Sequence, residues 1–295
     1  MKKFFALLLT LAMALSLAAC GAKEEAPAKT ETKTETKTEA PAEAPAEAGL
    51  GTITDGVLTV ATSPDFAPYE FYAIDADGNP SLAGFDMAMA QYIADYLGLT
   101  LEVIPMDFDG VLMELANGSV DLGIAGLSPD PARMDAMAFS DIYYEGGQSF
   151  VTVSAKADEF PDLASANTPG KSIGAQIGSI QMDLAEANSA DADIIPLPKV
   201  TDIIAELIAG KMDGAYIETA VAESYKVNYP DLHIVCEVPY DVEGSAIGVI
   251  KGNDALLAGV NEAIAAALAD GSMDKFVAEA NEAAAGNIYE GLLEG

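Results

Sequence analysis

Short β-type runs alternate with helical patterns from residue 50 to the end of the chain. In the segment 85–97, for example, Phe85, Met89, Ile93 and Tyr96 recur at helical spacing, and Gly98 ends the run. Alternating strands and helices indicate open sheets covered by helices on both faces. The pattern predicts strands at 57–61, 101–104, 120–125, 172–176, 194–195, 214–217 and 232–236, and helices at 85–97, 111–116, 180–187 and 203–208.

An internal repeat indicates that there are two such sheets. The segments 115–122 and 208–215 both read as a helix end, a glycine turn, an aspartate and a strand. The alternative is that helix–turn–strand units often look alike. Two matched lobes with a cleft between them agree better with the length of the chain, and ligands of open α/β sheets bind beyond the carboxyl ends of strands.

The order of the elements also predicts where the chain passes between the lobes. We expect it to leave lobe one near 144–147 and to return near 239–244. Lobe one is then 50–145 plus 242–295, and lobe two is 146–241. Two crossings form a hinge, and a ligand bound between the lobes favours their closure.

The N-terminal residues have the pattern of an export signal. Lys2 and Lys3 precede an apolar run at 4–17 that is too short for a permanent transmembrane helix. The run ends in Leu17-Ala18-Ala19-Cys20-Gly21, which resembles a bacterial lipoprotein signal. The resemblance implies that residues 1–20 are the signal, with Cys20 as the lipid anchor. The alternative is an ordinary secretory signal with a chance cysteine.

The residues behind this signal differ from the rest of the chain. The stretch 23–48 contains only Ala, Pro, Thr, Glu and Lys, so no large apolar side chain can drive its collapse. We therefore expect 21–49 to be a disordered tether that spans about 25–30 Å on average. A tether behind a lipid anchor would hold the folded part at the outer face of the bacterial cytoplasmic membrane.

Composition excludes several classes of function. The formal net charge of −33 repels nucleic acid and anionic lipid headgroups, so neither is expected as a partner. His233 is the only histidine, and neither Cys20 nor Cys236 has the spacing of a metal site. We therefore expect no metal, no cofactor and no histidine-based catalysis, and we expect Cys236 to be a small core residue.

One arginine, Arg133, stands among 13 lysines and 47 acidic residues. A lone arginine indicates a position that needs a planar guanidinium able to bind a carboxylate or phosphate with two hydrogen bonds. The strand 120–125 leads through Ser128 to Asp130, a good helix cap, and Pro131, a good first helical residue. The sequence thus predicts an anion site at a helix start. The alternative for Arg133 is a chance surface ion pair.

Six ordered sequence blocks resemble one protein family, and the resemblance covers about residues 55–280. The blocks are 60–71, 84–86, 106–110, 125–128 with Arg133, 139–141 and 178–181. The family they resemble is that of the periplasmic solute-binding proteins for polar amino acids, which work with ABC importers. The resemblance implies an α/β fold of the periplasmic binding protein type, with two lobes, each an open mixed sheet flanked by helices, and a two-crossing hinge.

The resemblance also implies how the ligand carboxylate is held. Arg133 and the hydroxyl and N–H of Ser128 match the positions that bind the α-carboxylate. The backbone at Ser179 and Ile180, at a helix start in lobe two, would donate further N–H groups to it. Taken without the resemblance, Ser128 is equally well explained as a turn former.

Other matched positions would bind the rest of the ligand. Glu218 matches the acidic residue that receives the α-ammonium, together with the Gly126 carbonyl. Phe66 and Phe108 match aromatic residues on either side of the ligand side chain. Without the resemblance, both aromatics would be assigned to the core and Glu218 to a solvated helix cap.

Two further positions would tune specificity, and here the sequence departs from the family. These are Ser63 and Gln176. Ser63 stands where several relatives have an aspartate that pairs with a basic ligand. We therefore expect a neutral polar amino acid such as glutamine first, then a basic one, and then cystine or an acidic one. Asp130 replaces the usual threonine at the helix start and adds negative charge there, while Pro129 stiffens the loop.

We therefore predict a substrate-binding lipoprotein of an ABC importer that captures a free amino acid and delivers it to a membrane permease. We expect it to be monomeric and not an enzyme. One alternative is a dehydratase of the same fold, for which only Glu218 and Glu70 are candidate acids or bases. The other alternative is a binding module that feeds a sensor.

Overall fold

The chain forms two five-stranded sheets and one small sheet in the computed structural model, which describes residues 49–74, 77–242, 244–286 and 288. The first five-stranded sheet consists of β1 (Val57–Thr62), β5 (Thr100–Pro105), β6 (Leu122–Gly123), β7 (Met137–Tyr144) and β13 (Ser245–Ile250). Its order is β5-β1-β6-β13-β7. The strands β5, β1 and β6 are parallel, and β13 is antiparallel to both of its neighbours.

The second five-stranded sheet repeats this topology. Its strands are β8 (Gln148–Val153), β9 (Ser172–Gln176), β10 (Asp193–Leu197), β11 (Gly214–Glu218) and β12 (Leu232–Glu237). The order is β10-β9-β11-β8-β12, with three parallel strands and two antiparallel pairings at β8. The prediction of two open mixed sheets is therefore confirmed. We call the parts of the chain around these two sheets lobe one and lobe two.

The chain crosses between the two sheets twice. It passes from β7 to β8 through residues 145–147, and it returns from β12 to β13 through residues 238–244. Both crossings lie where the sequence places the hinge. The lobe boundaries at 145/146 and 241/242 remain predictions.

In the described residues, seven α-helices cover the sheets. They are α1 (Phe85–Leu97), α2 (Phe108–Ala116), α3 (Ile180–Asn188), α4 (Val200–Ile208), α5 (Thr219–Asn228), α6 (Asp254–Ala269) and α7 (Ser272–Ala284). The first shows why they form: Phe85, Met89 and Ile93 lie one turn apart on α1 and are fully buried, and Gly98 caps the helix in the left-handed conformation. No helix in the described ranges is long and apolar enough to cross a membrane.

The small sheet was not predicted. It consists of β2 (Asp65–Phe66), β3 (Glu70–Ile74) and β4 (Pro80–Ala83), paired antiparallel in this order. β2, β3 and β4 follow one another without a helix between them, so they fall outside the strand–helix alternation that predicted the other strands. This sheet follows β1 directly, and it places Asp65 and Phe66 beside lobe two, as described below.

Several predicted ends differ by up to three residues, as at the starts of α2 and α4, and two predicted elements differ more substantially. The strand expected at 120–125 is paired only at Leu122–Gly123, because the following residues leave the sheet to form a loop. The helix expected after Asp130 is wrong: residues Pro131–Arg133 form one 3-10 turn, and β7 begins at Met137. Asp130 nevertheless caps this turn, accepting a hydrogen bond from the Ala132 N–H at 2.8 Å.

Several predictions fall on residues outside the described ranges. These are the export signal at 1–20, the lipid anchor at Cys20 and nearly all of the tether at 21–49.

Candidate functional site

A small cavity brings together most of the predicted ligand-binding residues. Seven of the ten line it, and they come from both lobes, so distant parts of the chain converge at one place. Its volume is about 10 Å³, far less than an amino acid occupies, so entry of an amino acid requires the two lobes to move apart. The lining residues are Phe66, Phe108, Gly126, Ser128 and Arg133 from lobe one, and Gln176, Ile180 and Gln181 from lobe two.

Arg133 spans the two lobes at this cavity. Its guanidinium donates from Nη1 to the Ser128 carbonyl at 3.2 Å and from Nη2 to the Gly178 carbonyl of lobe two at 3.0 Å. Among the described residues, no carboxylate oxygen lies within 4 Å of its nitrogens. Burial lowers the pKa of Arg133, and Asp130 and Asp183 oppose this shift. The guanidinium thus has neutral acceptors only and can still bind an anion.

The start of α3 faces the same cavity. The helix begins at Ile180, which lines the cavity, and Ser179 caps it by accepting a hydrogen bond from the Met182 N–H at 3.3 Å. The first N–H groups of a helix have no partners within the helix, and together they form a weak positive pole. Arg133 and α3 therefore present positive charge to one place from opposite lobes.

Two aromatic rings and one glycine form the lobe-one wall. Phe66 and Phe108 are buried yet border the cavity. Gly126 has a φ of 55°, and a Cβ there would lie 2.9 Å from Cε1 of Phe66. Its N–H donates to Oδ2 of Asp86 at 2.9 Å. A glycine is therefore required at this position both by its backbone conformation and by the nearby ring.

Glu218 lies outside the lining of this cavity. It ends β11 and caps α5, with Oε2 accepting from the Val221 N–H at 2.8 Å and Oε1 from the Gly147 N–H at 3.2 Å. Burial raises its pKa to about 7, although these hydrogen bonds oppose the shift. It borders a separate cavity of about 730 Å³ at the two chain crossings. Tyr69 connects this larger cavity with the small cavity at Arg133. Its ring centre lies 5.3 Å from that of Phe66, and its hydroxyl forms a hydrogen bond with Glu218.

The two predicted specificity residues meet at a third residue that the sequence did not single out, Asp65. Ser63 donates to Oδ1 of Asp65 at 2.8 Å, and Gln176 of lobe two donates to Oδ2 at 3.1 Å. The N–H of Val200, at the start of α4, also donates to Oδ2, and the Tyr225 hydroxyl donates to the Asp65 carbonyl. Asp65 is thus a buried carboxylate of lobe one held by lobe two.

A pair of buried acidic residues lies next to Asp65. Glu70 and Asp86 are fully buried. Asp86 accepts from the Tyr143 hydroxyl at 2.6 Å as well as from the Gly126 N–H. Asp65, Glu70 and Asp86 all lie within the blocks that carry the family resemblance, but their mutual proximity depends on the fold and has no signal in the sequence.

Comparison with known proteins identifies the family to which this arrangement belongs. The family model described as bacterial extracellular solute-binding proteins, family 3, matches residues 58–280. This chain belongs to that family. Family 3 membership establishes an extracytoplasmic, substrate-binding role in amino-acid ABC transport.

Individual relatives agree with this assignment. The arginine-binding extracellular protein ArtP of Bacillus subtilis is 30% identical over 201 residues, which cover 67% of this chain and 75% of that protein. The crystal structure of an amino acid ABC transporter substrate-binding protein, AbpA from Streptococcus pneumoniae, bound to L-arginine, superposes with a TM-score of 0.74 at 31% identity. That match covers 78% of this chain and 96% of that one. The predicted family and fold are confirmed.

One relative of this family 3 protein has a different activity. The cyclohexadienyl dehydratase of Pseudomonas aeruginosa is 28% identical over 190 residues, which cover 64% of this chain and 69% of that protein. The fold alone therefore does not distinguish a binding protein from an enzyme, and the distinction depends on the site.

Proposed function

We propose that the cavity at Arg133 is the binding site for a free α-amino acid. The observation that carries this proposal is a guanidinium whose hydrogen bonds within the described residues go to two carbonyls, placed opposite the start of α3 in the other lobe. A carboxylate bound there would accept two parallel hydrogen bonds from Arg133 and further ones from the backbone at Ser179 and Ile180. Ser128 is within reach of the same group.

The α-ammonium is assigned to Glu218. A buried carboxylate whose pKa is raised to about 7 is stabilised by a cation, which would lower that pKa again. Glu218 lies one aromatic side chain away from the cavity, because Tyr69 separates it from Phe66. Separation of the lobes, together with loss of the Tyr69–Glu218 hydrogen bond, would open one continuous site. The Gly126 carbonyl is the second acceptor in this arrangement.

The binding role is favoured over catalysis. Of the similar proteins reported above, one is named as arginine-binding and one was solved bound to L-arginine, and the described residues supply no histidine or cysteine beside the cavity. The observation that favours the dehydratase alternative is Glu218 itself, since a carboxyl group with a pKa of about 7 suits a general acid. An assay distinguishes the binding protein from the dehydratase: the protein is incubated with prephenate-like acids, and an aromatic product is sought by ultraviolet absorption. Binding without turnover is expected.

We further infer that Cys20 carries the lipid anchor and that the protein is a monomer serving a permease. Cys20→Ala is expected to move the protein from the membrane fraction to the medium. Unchanged membrane partitioning of that variant would rule out lipidation. Genes for a permease and an ATPase beside this one would support import, whereas an adjacent receptor gene would support the sensor alternative.

A thermal-shift screen of the twenty amino acids tests the proposed function. A ligand that binds only the folded protein raises its melting temperature. At a ligand concentration of about one hundred times Kd, the free energy of unfolding increases by about 2.7 kcal/mol. We expect one amino acid, or a few of similar chemistry, to raise the melting temperature, and the rise to increase with the logarithm of ligand concentration above Kd. No shift with any of the twenty would overturn the proposed function.

A further inference from the structure

Helix α4 of lobe two begins without a capping side chain of its own. Lys199, the residue before it, has an extended backbone but makes no side-chain hydrogen bond to the helix. The first N–H groups of a helix have no partner within the helix and need one from elsewhere. The first N–H of α4, that of Val200, donates to Oδ2 of Asp65, a residue of lobe one that lies 135 positions earlier in the chain. An acidic side chain of one lobe therefore caps a helix of the other.

Asp65 also contacts two further elements of lobe two. Gln176, which ends β9, donates from Nε2 to the same Oδ2 atom at 3.1 Å. Tyr225 on α5 donates from its hydroxyl to the Asp65 carbonyl at 3.1 Å. Only 6% of Asp65 is exposed, so these bonds are shielded from water. A single residue of lobe one thus accepts hydrogen bonds from β9, α4 and α5 of lobe two.

The position of Asp65 in lobe one connects this contact with the cavity. Ser63 donates to Oδ1 of Asp65 at 2.8 Å, which orients the side chain and leaves Oδ2 for the two donors of lobe two. Strand β2 consists of Asp65 and Phe66 alone, and Phe66 lines the cavity. The contact at Asp65 therefore also fixes where the Phe66 ring stands relative to lobe two.

We propose that Asp65 is a positioning residue, an interlobe cap that holds α4 of lobe two against lobe one and so stabilises the closed form of the protein. The inference rests on the proposed binding of an amino acid between the lobes. Separation of the lobes breaks the bond between the Val200 N–H and the Asp65 carboxylate, and each group then has to be solvated by itself. Because Asp65 does not line the cavity, the cap favours closure by the same factor whichever amino acid is bound.

A cysteine pair measures closure without any ligand. A Cβ on Gly178 of lobe two would lie 3.7 Å from the Cβ of Asp109 on α2 of lobe one, a separation that suits a disulfide. Asp109→Cys with Gly178→Cys should therefore cross-link in the closed form, in a full chain that also carries Cys20→Ser and Cys236→Ser. Gly178 has a φ of 76°, so the cysteine adds strain there, but this strain is the same in every variant compared. The rate of cross-linking by a mild oxidant then reports the closed population.

Two substitutions, one in each lobe, should remove the interlobe cap from this cysteine-pair protein. Asp65→Ala should slow cross-linking by about tenfold, the factor expected for loss of a helix cap and of hydrogen bonds to a charged group. Val200→Pro should slow it as well, because proline is tolerated at the first position of a helix and lacks the N–H that Asp65 accepts.

Two further substitutions serve as controls. Asp65→Asn should keep a rate close to that of the parent protein, since an asparagine oxygen caps a helix as well as a carboxylate does and its NH2 group can donate to Ser63. Asp213→Ala removes a carboxylate whose partners Lys156 and Ser172 both belong to lobe two, and it should leave the rate unchanged. Together the controls separate loss of the interlobe cap from loss of a charge and from a general loss of stability.

Dissociation rates distinguish an interlobe cap from a residue that contacts the ligand. Asp65→Ala should raise the dissociation rates of L-glutamine and L-arginine by the same factor, measured by stopped-flow tyrosine fluorescence. Unequal factors would overturn the proposal, because Asp65 would then act on the ligand side chain. Unchanged cross-linking in both Asp65→Ala and Val200→Pro, with melting temperatures that show them folded, would overturn it too. A protein that binds no amino acid, but whose cross-linking responds as predicted, would refute the proposed function and leave the interlobe cap standing.

Discussion

At the scale of single residues, close approach of the backbone determines which positions tolerate a side chain. Gly84 precedes α1 with a φ of 119°, and a Cβ there would lie 2.0 Å from the Tyr69 carbonyl oxygen. Gly98 follows α1 with a φ of 68°, and a Cβ there would meet nothing within 4 Å. Both glycines have backbone angles that other residues rarely adopt. Of the two, only Gly84 also has no room for a Cβ.

Gly84→Ala and Gly98→Ala should therefore differ strongly in stability. Gly98→Ala should cost about 1 kcal/mol, the strain of a left-handed alanine. Gly84→Ala should cost about 3 kcal/mol or more, because the backbone of the neighbouring strand has to move as well. Urea unfolding of both variants measures the difference. Equal losses would show that the close contact with Tyr69 relaxes without cost.

Residues of the site differ in how well the sequence alone predicts their roles. Arg133 stood out by its uniqueness together with the strand and loop that precede it, and the structure places it at the cavity. Asp65 could not, since its partners Gln176 and Val200 lie 111 and 135 residues further along the chain. Pairing over such a separation depends on the whole fold, so a local motif showed Ser63 and missed the carboxylate beside it.

At the scale of elements, the internal repeat is the feature that the sequence predicted best. Gly118 and Gly210 both have a φ of 71° in the turns before β6 and β11. Asp121 and Asp213 follow them and accept hydrogen bonds from Thr59 of β1 and from Ser172 of β9, respectively. A glycine turn followed by an aspartate was recognisable because all its parts are adjacent in sequence.

Elements that depend on long-range pairing were harder to predict. The bounds of α1 were predicted without error, because its apolar stripe and final glycine are local signals. The strand 120–125 was predicted too long, because its apolar residues continue into a buried loop where pairing has already ended. A run of buried residues thus indicates burial but not hydrogen-bonded pairing.

The two aspartates of the repeat should differ in their contribution to stability. Asp121 is fully buried and accepts from the Ile53 N–H, the Thr59 N–H and the Thr59 hydroxyl. Asp121→Ala leaves these donors without a partner and should cost about 3 kcal/mol or more. Asp213 is half-buried, so water can replace part of its role, and Asp213→Ala should cost about 1–2 kcal/mol. Denaturant unfolding that ranks the two in the opposite order would contradict this.

At the scale of the whole molecule, buried acids make stability depend on pH. Burial raises the pKa of Asp65 and Asp86 from 3.8 to about 6 and that of Glu218 from 4.5 to about 7. A folded-state pKa above the unfolded value means that the folded protein binds the proton more tightly. The stabilisation is fully present below the unfolded pKa values and is lost as the pH rises through 6 to 7.

The melting temperature of the ligand-free protein should therefore rise when the pH is lowered from 8 to 5. The large negative charge acts in the same direction, so a control is needed. Glu218→Gln should flatten the pH dependence near pH 7, while Asp141→Asn, which removes the same charge from an exposed position, should not. Parallel pH profiles for the wild type and Glu218→Gln would show that burial of this carboxyl group does not control the effect.

The central claim is that the guanidinium of Arg133 binds the carboxylate of an amino acid held between the two lobes. Calorimetry on wild type, Arg133→Lys and Arg133→Ala, each with the preferred amino acid and with its amide, tests this claim most directly. The acid should lose about 2–5 kcal/mol of binding free energy on Arg133→Ala and less on Arg133→Lys, which keeps the charge but not the planar fork. The amide should bind the wild type weakly and lose little more. Equal losses for acid and amide would contradict the claim, because Arg133 would then not contact the carboxylate.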